Sequence, residues 1–280
     1  MLRIAFPLVI CLFVTALGKA QQRIITAGSA ITETVCALGD CDKIIASDKT
    51  SLYPAEIQQL PSIGYRTAIS AEGIISLKPT LVILEKDYVD EKVLTQLSAS
   101  GIVLVIVDRE LNFNSTKKYI AQIASVLGKK EEGKKLIAKN EAELAEAKSM
   151  LQKSTTNPKV LAVYNRGSAT MSIAGKGTFS EILQYVGAQN AFENVEDYKP
   201  LNSEALIAAS PDYLLLTSTG FESIGGVEGV LKIPGVAQTT AGKKKQIVAV
   251  NSLKLTNFGP RFGETVKELV ALLHPECIVK

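Results

Sequence analysis

Short apolar runs alternate with longer amphipathic stretches along most of the chain. In the first half, the alternating predicted strands and helices are 23–26, 31–38, 81–84, 90–98, 101–107 and 116–127. Strands that alternate with helices are typical of an α/β domain with a mainly parallel sheet. The alternation begins again after Pro158, with predicted strands at 159–164 and 213–217 around a predicted helix at 179–186.

A long helical segment separates these two series. Residues 129–152 are rich in Lys, Glu, Ala and Leu and contain no proline, and Leu136, Ile137, Leu144 and Leu151 recur at spacings that place them on one side of a helix. A solvated surface helix would have a similar pattern. We favour a connector, because the β-α alternation restarts beyond it. The predicted boundaries are 21–128 for the N-terminal lobe, 129–156 for the inter-lobe helix and 157–280 for the C-terminal lobe.

A comparison of the chain with itself supports two lobes. Residues 71–79 (AEGIISLKP) align without a gap on residues 203–211 (SEALIAASP). In each segment a small polar residue can cap a short helix, Glu72 or Glu204 lies in its first turn, and a proline ends it before an apolar strand. We therefore expect two Rossmann-like lobes with mainly parallel sheets, joined by one rigid helix, with a ligand cleft between them.

The N-terminus has the pattern of a secretory signal peptide. A short basic start is followed by an almost uninterrupted apolar run over residues 4–17 and by small residues at positions 18 and 20, with cleavage predicted after Ala20. The run is too short for a comfortable transmembrane span. Removal of residues 1–20 leaves 29 basic against 28 acidic side chains. We expect an exported, nearly neutral protein with no affinity for nucleic acid.

Cysteine and histidine are scarce, which narrows the chemistry. Export permits disulfides, and Cys36 and Cys41 are close enough in sequence for a small-loop bridge, although Cys36 could equally be a buried apolar helix residue. Cys277 is then unpaired. The single histidine, His274, argues against zinc sites and Ser-His-Asp catalysts. We interpret His274 as a helix-end residue that complements the helix dipole.

Three motifs carry a resemblance to a known family. They are residues 64–73 (GYRTAISAEG), 225–236 (GGVEGVLKIPGV) and 257–261 (NFGPR). With them, the mature chain resembles the vitamin-B12-binding-protein-like substrate-binding proteins of ABC importers, and within these the periplasmic haemin-binding proteins. The resemblance implies a periplasmic protein, not an enzyme, that carries haem from an outer-membrane receptor system to an inner-membrane ABC permease dimer for iron uptake.

The resemblance also implies a haem site. In that family the tyrosine after the glycine of the first motif is the axial haem ligand, and Tyr65 occupies its place. Phenolate is a hard donor suited to ferric iron, and a free phenol titrates near pH ~10, so it needs a nearby cation at neutral pH. Arg66, Arg166 and Arg261 are candidates to stabilise the phenolate or to pair with a haem propionate. Met171 is a candidate soft contact, with a core role favoured.

Two departures from the family pattern affect these expectations. Many relatives place the arginine two residues after the tyrosine, whereas Arg66 follows Tyr65 directly, so the role of Arg66 stays open. Some relatives also supply a histidine from the opposing lobe, and residues 165–167 contain none. We therefore expect five-coordinate ferric haem. From the residues alone, Tyr65 would be interpreted as a loop aromatic that closes a turn after Gly64.

Paired glutamates imply a docking function. In this importer class a glutamate on each lobe meets arginines of the permease dimer, and Glu72 and Glu204 occupy those positions. Their equivalence in the repeat suits docking onto a two-fold partner. A purely local interpretation is stabilisation of a helix N-terminus, worth about 0.3–1 kcal/mol.

Two other functions remain open. A ferric siderophore or a corrinoid such as vitamin B12 would suit the same fold. An exported bilobal α/β enzyme is the alternative from another class, but the sequence shows no credible base or metal cluster beside a nucleophile.

Overall fold

A computed structural model describes residues 22–166, 170–175, 177–195 and 198–278 of the chain. The predicted signal peptide, residues 1–20, lies outside the described residues. In the part of the chain that the structure describes, no helix is both long enough and apolar enough to cross a membrane.

The N-terminal lobe is a parallel β-sheet packed between two layers of helices. Its elements are β1 Ile24–Ala27, α1 Ser29–Ala37, β2 Ile44–Ser47, α2 Ala71–Ser76, β3 Leu81–Glu85, α3 Glu91–Ala99, β4 Val103–Val107 and α4 Phe113–Val126. The strand order is β2-β1-β3-β4, and all pairs are parallel. Alternate residues of β1 and β3 enter two different apolar clusters, one on each face of the sheet. Burial on both faces explains why these strands are continuous apolar runs.

The connecting helix α5, Lys130–Leu151, belongs to both lobes. Leu136 and Ile137 pack against an apolar cluster of the N-terminal lobe. Two to four turns later, Leu144, Ala147 and Leu151 pack against the core of the C-terminal lobe. The predicted fold, two α/β lobes joined by a long helix, is confirmed.

The C-terminal lobe adds antiparallel strands to a parallel core. Its elements are β5 Lys159–Arg166, β6 Thr170–Ala174, α6 Thr178–Tyr185, β7 Gln189–Asn190, β8 Tyr198–Pro200, α7 Ser203–Ala209, β9 Tyr213–Thr217, α8 Ser218–Ser223, α9 Gly226–Leu231, α10 Thr240–Lys244, β10 Ile247–Val250, α11 Ser252–Asn257 and α12 Phe262–Leu273. The sheet order is β10-β9-β5-β6-β8, with β7 also paired to β5. Strands β6 and β8 are antiparallel, and the remaining pairs are parallel.

The internal repeat is visible in the backbone. The parallel order β7-β5-β9-β10 repeats the order β2-β1-β3-β4 of the other lobe. Helices α2 and α7 begin at Ala71 and Ser203, and each leads into a central strand, β3 or β9. The residue before each proline adopts a left-handed conformation, with φ 49° at Lys78 and 38° at Ser210. The two lobes therefore share even this unusual helix ending.

The described cysteines and the histidine have structural positions. Cys36 and Cys41 form a disulfide, and Cys277 is buried and free. His274 lies at the end of α12, where its buried Nε2 donates to the carbonyl oxygen of Val186 at 2.8 Å. Its other ring nitrogen, Nδ1, lies 2.9 Å from the Ser154 hydroxyl oxygen. This buried imidazole joins chain segments and is not exposed to a ligand.

Candidate functional site

A cleft of about 1050 Å³ lies between the lobes. One wall is formed by residues at the carboxyl ends of the N-terminal strands: Ser29 after β1, Lys49 after β2, Glu85 at the end of β3 and Arg109 after β4. The opposite wall includes Ser172 of β6 and several residues of α11. Ligands of open α/β sheets bind beyond the carboxyl ends of the strands, and the predicted inter-lobe cleft has this position.

The loop that carries Tyr65 depends on the glycine before it. Gly64 has φ 107°, and a Cβ built there would lie 2.9 Å from the carbonyl oxygen of Ala68. The carbonyl oxygen of Gly64 accepts from the backbone N–H of Lys49 at 2.9 Å. Tyr65 then precedes a single 3₁₀ turn, Arg66–Ala68. Only glycine fits this close approach without strain, and the result is that Tyr65 lies in the cleft wall.

Among the described residues that line the cleft, two are tyrosines, Tyr65 and Tyr88, and their chemistry differs. Tyr88 is 5% exposed, and its hydroxyl donates to Asp48 Oδ2 at 2.5 Å. Burial and this hydrogen bond raise the pKa of Tyr88, so it remains a protonated donor. Tyr65 is 46% exposed, and its hydroxyl has no hydrogen-bond partner among the described residues. Of the two, Tyr65 is therefore the phenol that a ligand in the cleft can use.

Arg66 is held against the same wall by an aromatic ring. Its guanidinium carbon lies 4.8 Å from the centre of the Tyr88 ring, a cation–π geometry. The Tyr88 ring is fixed in turn by Asp48, which also accepts from the backbone N–H of Gly28 at 3.0 Å and the Ser51 hydroxyl at 2.6 Å. A chain of contacts from a buried carboxylate thus positions Arg66 beside Tyr65.

Arg261, by contrast, bridges the two lobes outside the cleft lining. Its guanidinium forms a two-pronged ion pair with Glu33 of α1, with Nη2 at 3.1 Å from Oε2 and Nε bonded to Oε1. The same guanidinium lies 3.7 Å from the centre of the Tyr53 ring. A direct contact between Arg261 and a ligand stays a prediction, since the N–H edge of this group is paired with Glu33 and one of its faces lies on the Tyr53 ring.

The segment around Arg261 fastens the lobes together. The carbonyl oxygen of Phe258 accepts from the hydroxyls of Thr116 and Tyr119 at 2.8 and 2.7 Å. The carbonyl oxygen of Pro260 accepts from the amide of Asn140, on α5, at 2.8 Å. All these donors are on α4 or α5, so residues 257–261, here called the inter-lobe strap, tie the C-terminal lobe to the other half.

An ion pair at the cleft wall was not singled out from the sequence. Arg109 Nη2 lies 3.1 Å from Glu85 Oε1, and Nη1 donates to the carbonyl oxygen of Asn257 in the strap. The buried Nε of Arg109 has no partner among the described residues. One feature of the sequence could have indicated these residues. Lys49, Glu85 and Arg109 each lie at or just after the carboxyl end of a strand, where ligands of parallel sheets bind.

Two predicted site residues lie where only the backbone is described. Arg166 ends β5 and pairs with Thr170, and Met171 in β6 pairs with Asn165. The side chains of Arg166 and Met171 lie outside the described part of the structure. Their roles in binding stay predictions.

Glu72 and Glu204 are exposed in the first turns of α2 and α7. The Ser70 hydroxyl accepts from the backbone N–H of Gly73 at 3.1 Å, and the Asn202 side chain accepts from that of Glu204 at 2.9 Å. With caps already in place, neither glutamate carboxylate is needed to close its helix. No salt bridge joins either glutamate to another described residue. Docking through them stays a prediction.

Known proteins share this architecture. The periplasmic heme-binding protein RhuT from Roseiflexus sp. RS-1, in apo form, is 37% identical with a TM-score of 0.84, over 92% of this chain and 99% of that one. HutB of Vibrio cholerae, a periplasmic heme-binding protein, is 30% identical with a TM-score of 0.81, over 91% and 100%. The vitamin B12-binding protein of Photorhabdus laumondii is 27% identical over 77% of this chain and 78% of its own.

A family model extends this similarity across both lobes. The model for periplasmic binding proteins matches residues 24–252, from β1 to the start of α11. An uncharacterized ABC transporter substrate-binding lipoprotein of Bacillus subtilis, YvrC, is 26% identical over 92% of the chain and 82% of its own length. These matches agree with the resemblance drawn from the three sequence motifs. The chain belongs to the periplasmic binding protein family.

Proposed function

We infer that this protein binds haem in the inter-lobe cleft and delivers it to an inner-membrane ABC permease. The observation that carries the proposal is the unpartnered phenol of Tyr65 on the wall of a cleft of about 1050 Å³. Small-molecule sites have volumes of about 300–1,000 Å³, so this cleft suits a large ligand. Solved neighbours support haem: besides RhuT and HutB, the heme-binding protein BhuT, described in complex with two hemes, is 30% identical with a TM-score of 0.83.

The charge of the cleft favours an anionic ligand. Among its described lining residues Lys49, Arg66 and Arg109 are cationic, and Glu85 is anionic. Glu85 pairs with Arg109, which leaves two cations without a carboxylate partner in the cleft wall. Haem carries two propionates, and an iron-bound phenolate adds further negative charge. Corrinoids have amides where haem has carboxylates, so they gain less from these cations.

The rest of the proposal concerns transport. We propose a carrier without a catalytic step, exported by residues 1–20 and working in the periplasm. It would receive haem from an outer-membrane receptor system and dock on the permease dimer through Glu72 and Glu204. The support is the matched position of these exposed glutamates on two lobes, which a two-fold partner can engage together.

Relatives also favour a second candidate ligand. Besides the vitamin B12-binding protein of Photorhabdus laumondii, the Fe(3+)-citrate-binding protein YfmC of Bacillus subtilis is 26% identical over 75% of this chain and 67% of its own. A corrinoid or a ferric chelate is therefore the alternative cargo. Either would enter the same cleft.

Titration with hemin tests the ligand. We expect saturation at one equivalent with the absorption spectrum of high-spin ferric tyrosinate. Tyr65→Phe should abolish that spectrum and weaken hemin binding at least about tenfold. Mutation of a residue that only hydrogen-bonds a metal ligand already lowers metal affinity about tenfold, so loss of the ligand itself should cost no less. Tyr53→Phe is the matched control, since Tyr53 is 43% exposed but does not line the cleft. Absence of binding at micromolar hemin, together with binding of cyanocobalamin or ferric citrate, would overturn the haem assignment.

A further inference from the structure

The two repeated helices expose the same kind of residue at the same place. In α2, Ile74 is fully buried while Ile75 is 39% exposed, and in α7 Leu206 is fully buried while Ile207 is 43% exposed. The buried neighbours already anchor both helices on their lobes. The exposed isoleucines are therefore not required for packing within either lobe.

This correspondence sets the two residues apart from other exposed apolar side chains. Ile75 and Ile207 are 132 residues apart, as are Ala71 and Ser203, which begin the two helices. Among the large apolar side chains exposed in the described residues, this is the pair that the repeat relates. A single exposed isoleucine is ordinary on a protein surface, but a pair at equivalent positions of two lobes has the symmetry of an interface.

Each isoleucine lies beside an exposed glutamate. Glu72 precedes Ile75 by three positions, and Glu204 precedes Ile207 by three, so each pair lies on one face of its helix. Neither carboxylate has an ion-pair partner among the described residues. Each lobe thus presents a carboxylate next to an aliphatic side chain. A partner protein that binds both lobes at once therefore needs two matching sites, each with a cation beside an apolar recess.

We propose that Ile75 and Ile207 are the apolar anchors of the permease interface, each entering a recess next to an arginine or lysine on one half of the permease dimer. The identity of the partner rests on the proposed function. The inference assigns different roles to the glutamates and the isoleucines. Exposed charges mainly speed encounter and respond to salt, whereas a desolvated aliphatic contact mainly sets how long a complex lasts.

The test measures docking directly, without haem uptake as the readout. Full-length mature protein is bound to the cognate permease–ATPase complex in lipid nanodiscs, and association and dissociation rates are recorded at two salt concentrations. The variants are Ile75→Ser, Ile207→Ser, the double variant and Glu72→Ala/Glu204→Ala. Leu272→Ser is the matched control, because Leu272 is 40% exposed on α12 and has no equivalent in the repeat. Hemin titration and thermal unfolding accompany each variant.

The proposal gives distinct kinetic signatures. Each isoleucine variant should dissociate about tenfold faster, and the double variant roughly a hundredfold faster, with association and hemin affinity unchanged. The glutamate variant should associate more slowly and lose its salt dependence, and Leu272→Ser should match the wild type.

A double isoleucine variant that dissociates within twofold of the wild type overturns the inference. If the wild type binds hemin but not the permease complex, docking fails while haem binding stands. If it binds the permease complex but not hemin, only the ligand assignment fails.

Discussion

The ion pair between Glu33 and Arg261 allows a quantitative prediction. Arg261→Met removes the guanidinium but keeps an apolar stem against the Tyr53 ring. It leaves the Glu33 carboxylate 3% exposed, with the Asn257 amide at 3.3 Å as its remaining partner. Breaking a buried pair by removing one member costs about 3–5 kcal/mol. Because the Arg261 side chain is partly accessible, we expect the lower end, about 3 kcal/mol.

This loss is large enough for standard unfolding measurements. For a chain of this size, about 3 kcal/mol corresponds to a melting temperature lower by roughly 6–12 °C. Urea unfolding at pH 7, followed by circular dichroism, gives the free energy. Glu33→Leu/Arg261→Met should recover most of the loss, since an apolar pair replaces the ionic one. Lys267→Met, which breaks the exposed pair with Glu146, should leave stability close to that of the wild type.

The same variants separate a structural role from a ligand-binding role. If Arg261→Met costs less than about 1 kcal/mol, or if Glu33→Leu/Arg261→Met is no more stable than Arg261→Met alone, the inter-lobe reasoning is refuted. Hemin titration completes the comparison. Unchanged affinity in Arg261→Met is expected from its position outside the cleft lining. A tenfold loss of affinity without a loss of stability would instead support the haem contact predicted from the sequence.

Three further predictions follow from local geometry. Gly64→Ala should lower hemin affinity about tenfold by displacing Tyr65, with little change in melting temperature; equal affinity would show that the loop tolerates a side chain. Asn140→Ala removes a fully buried amide of α5 that donates to the inter-lobe strap. It should lower the free energy of unfolding by about 2–3 kcal/mol in urea titrations, and a loss under about 1 kcal/mol would contradict this. Although burial acts in the opposite direction, hydrogen bonds from the Thr156 and Ser154 hydroxyls lower the pKa of Glu276 to about 2. Its contribution to stability is therefore present above about pH 4 and lost as the pH falls towards 2, so Glu276→Gln should be less stable than the wild type at pH 7 but not at pH 2.

Local signals account for the elements that could be predicted. Helices α2 and α7 each have a polar cap, a glutamate in the first turn and a proline at the end, and strands β3 and β9 are continuous apolar runs. Strands β2 and β10 were missed, because four apolar or small residues between charged and polar neighbours resemble many loops. The antiparallel β6 was also missed, since pairing direction depends on contacts distant in sequence.

The site was only partly predictable for a related reason. Tyr65 was found through its motif, whereas Lys49, Glu85 and Arg109 occur in no motif and converge only because parallel strands end at one edge of the sheet. The partner of Arg261 is 228 residues away, and no local pattern links the two. Long-range pairing of this kind depends on the assembled lobes.

The inter-lobe strap has a consequence for how cargo is signalled. Hydrogen bonds from α4 and α5 to the carbonyl oxygens of Phe258 and Pro260, together with the Glu33–Arg261 pair, oppose wide opening of the cleft. These contacts favour a fixed separation of the two lobes over a clamshell closure on ligand binding. Under the proposed transport function, empty and filled molecules would then present nearly the same outer face and would compete for the permease. The ratio of filled to empty protein would govern the rate of delivery.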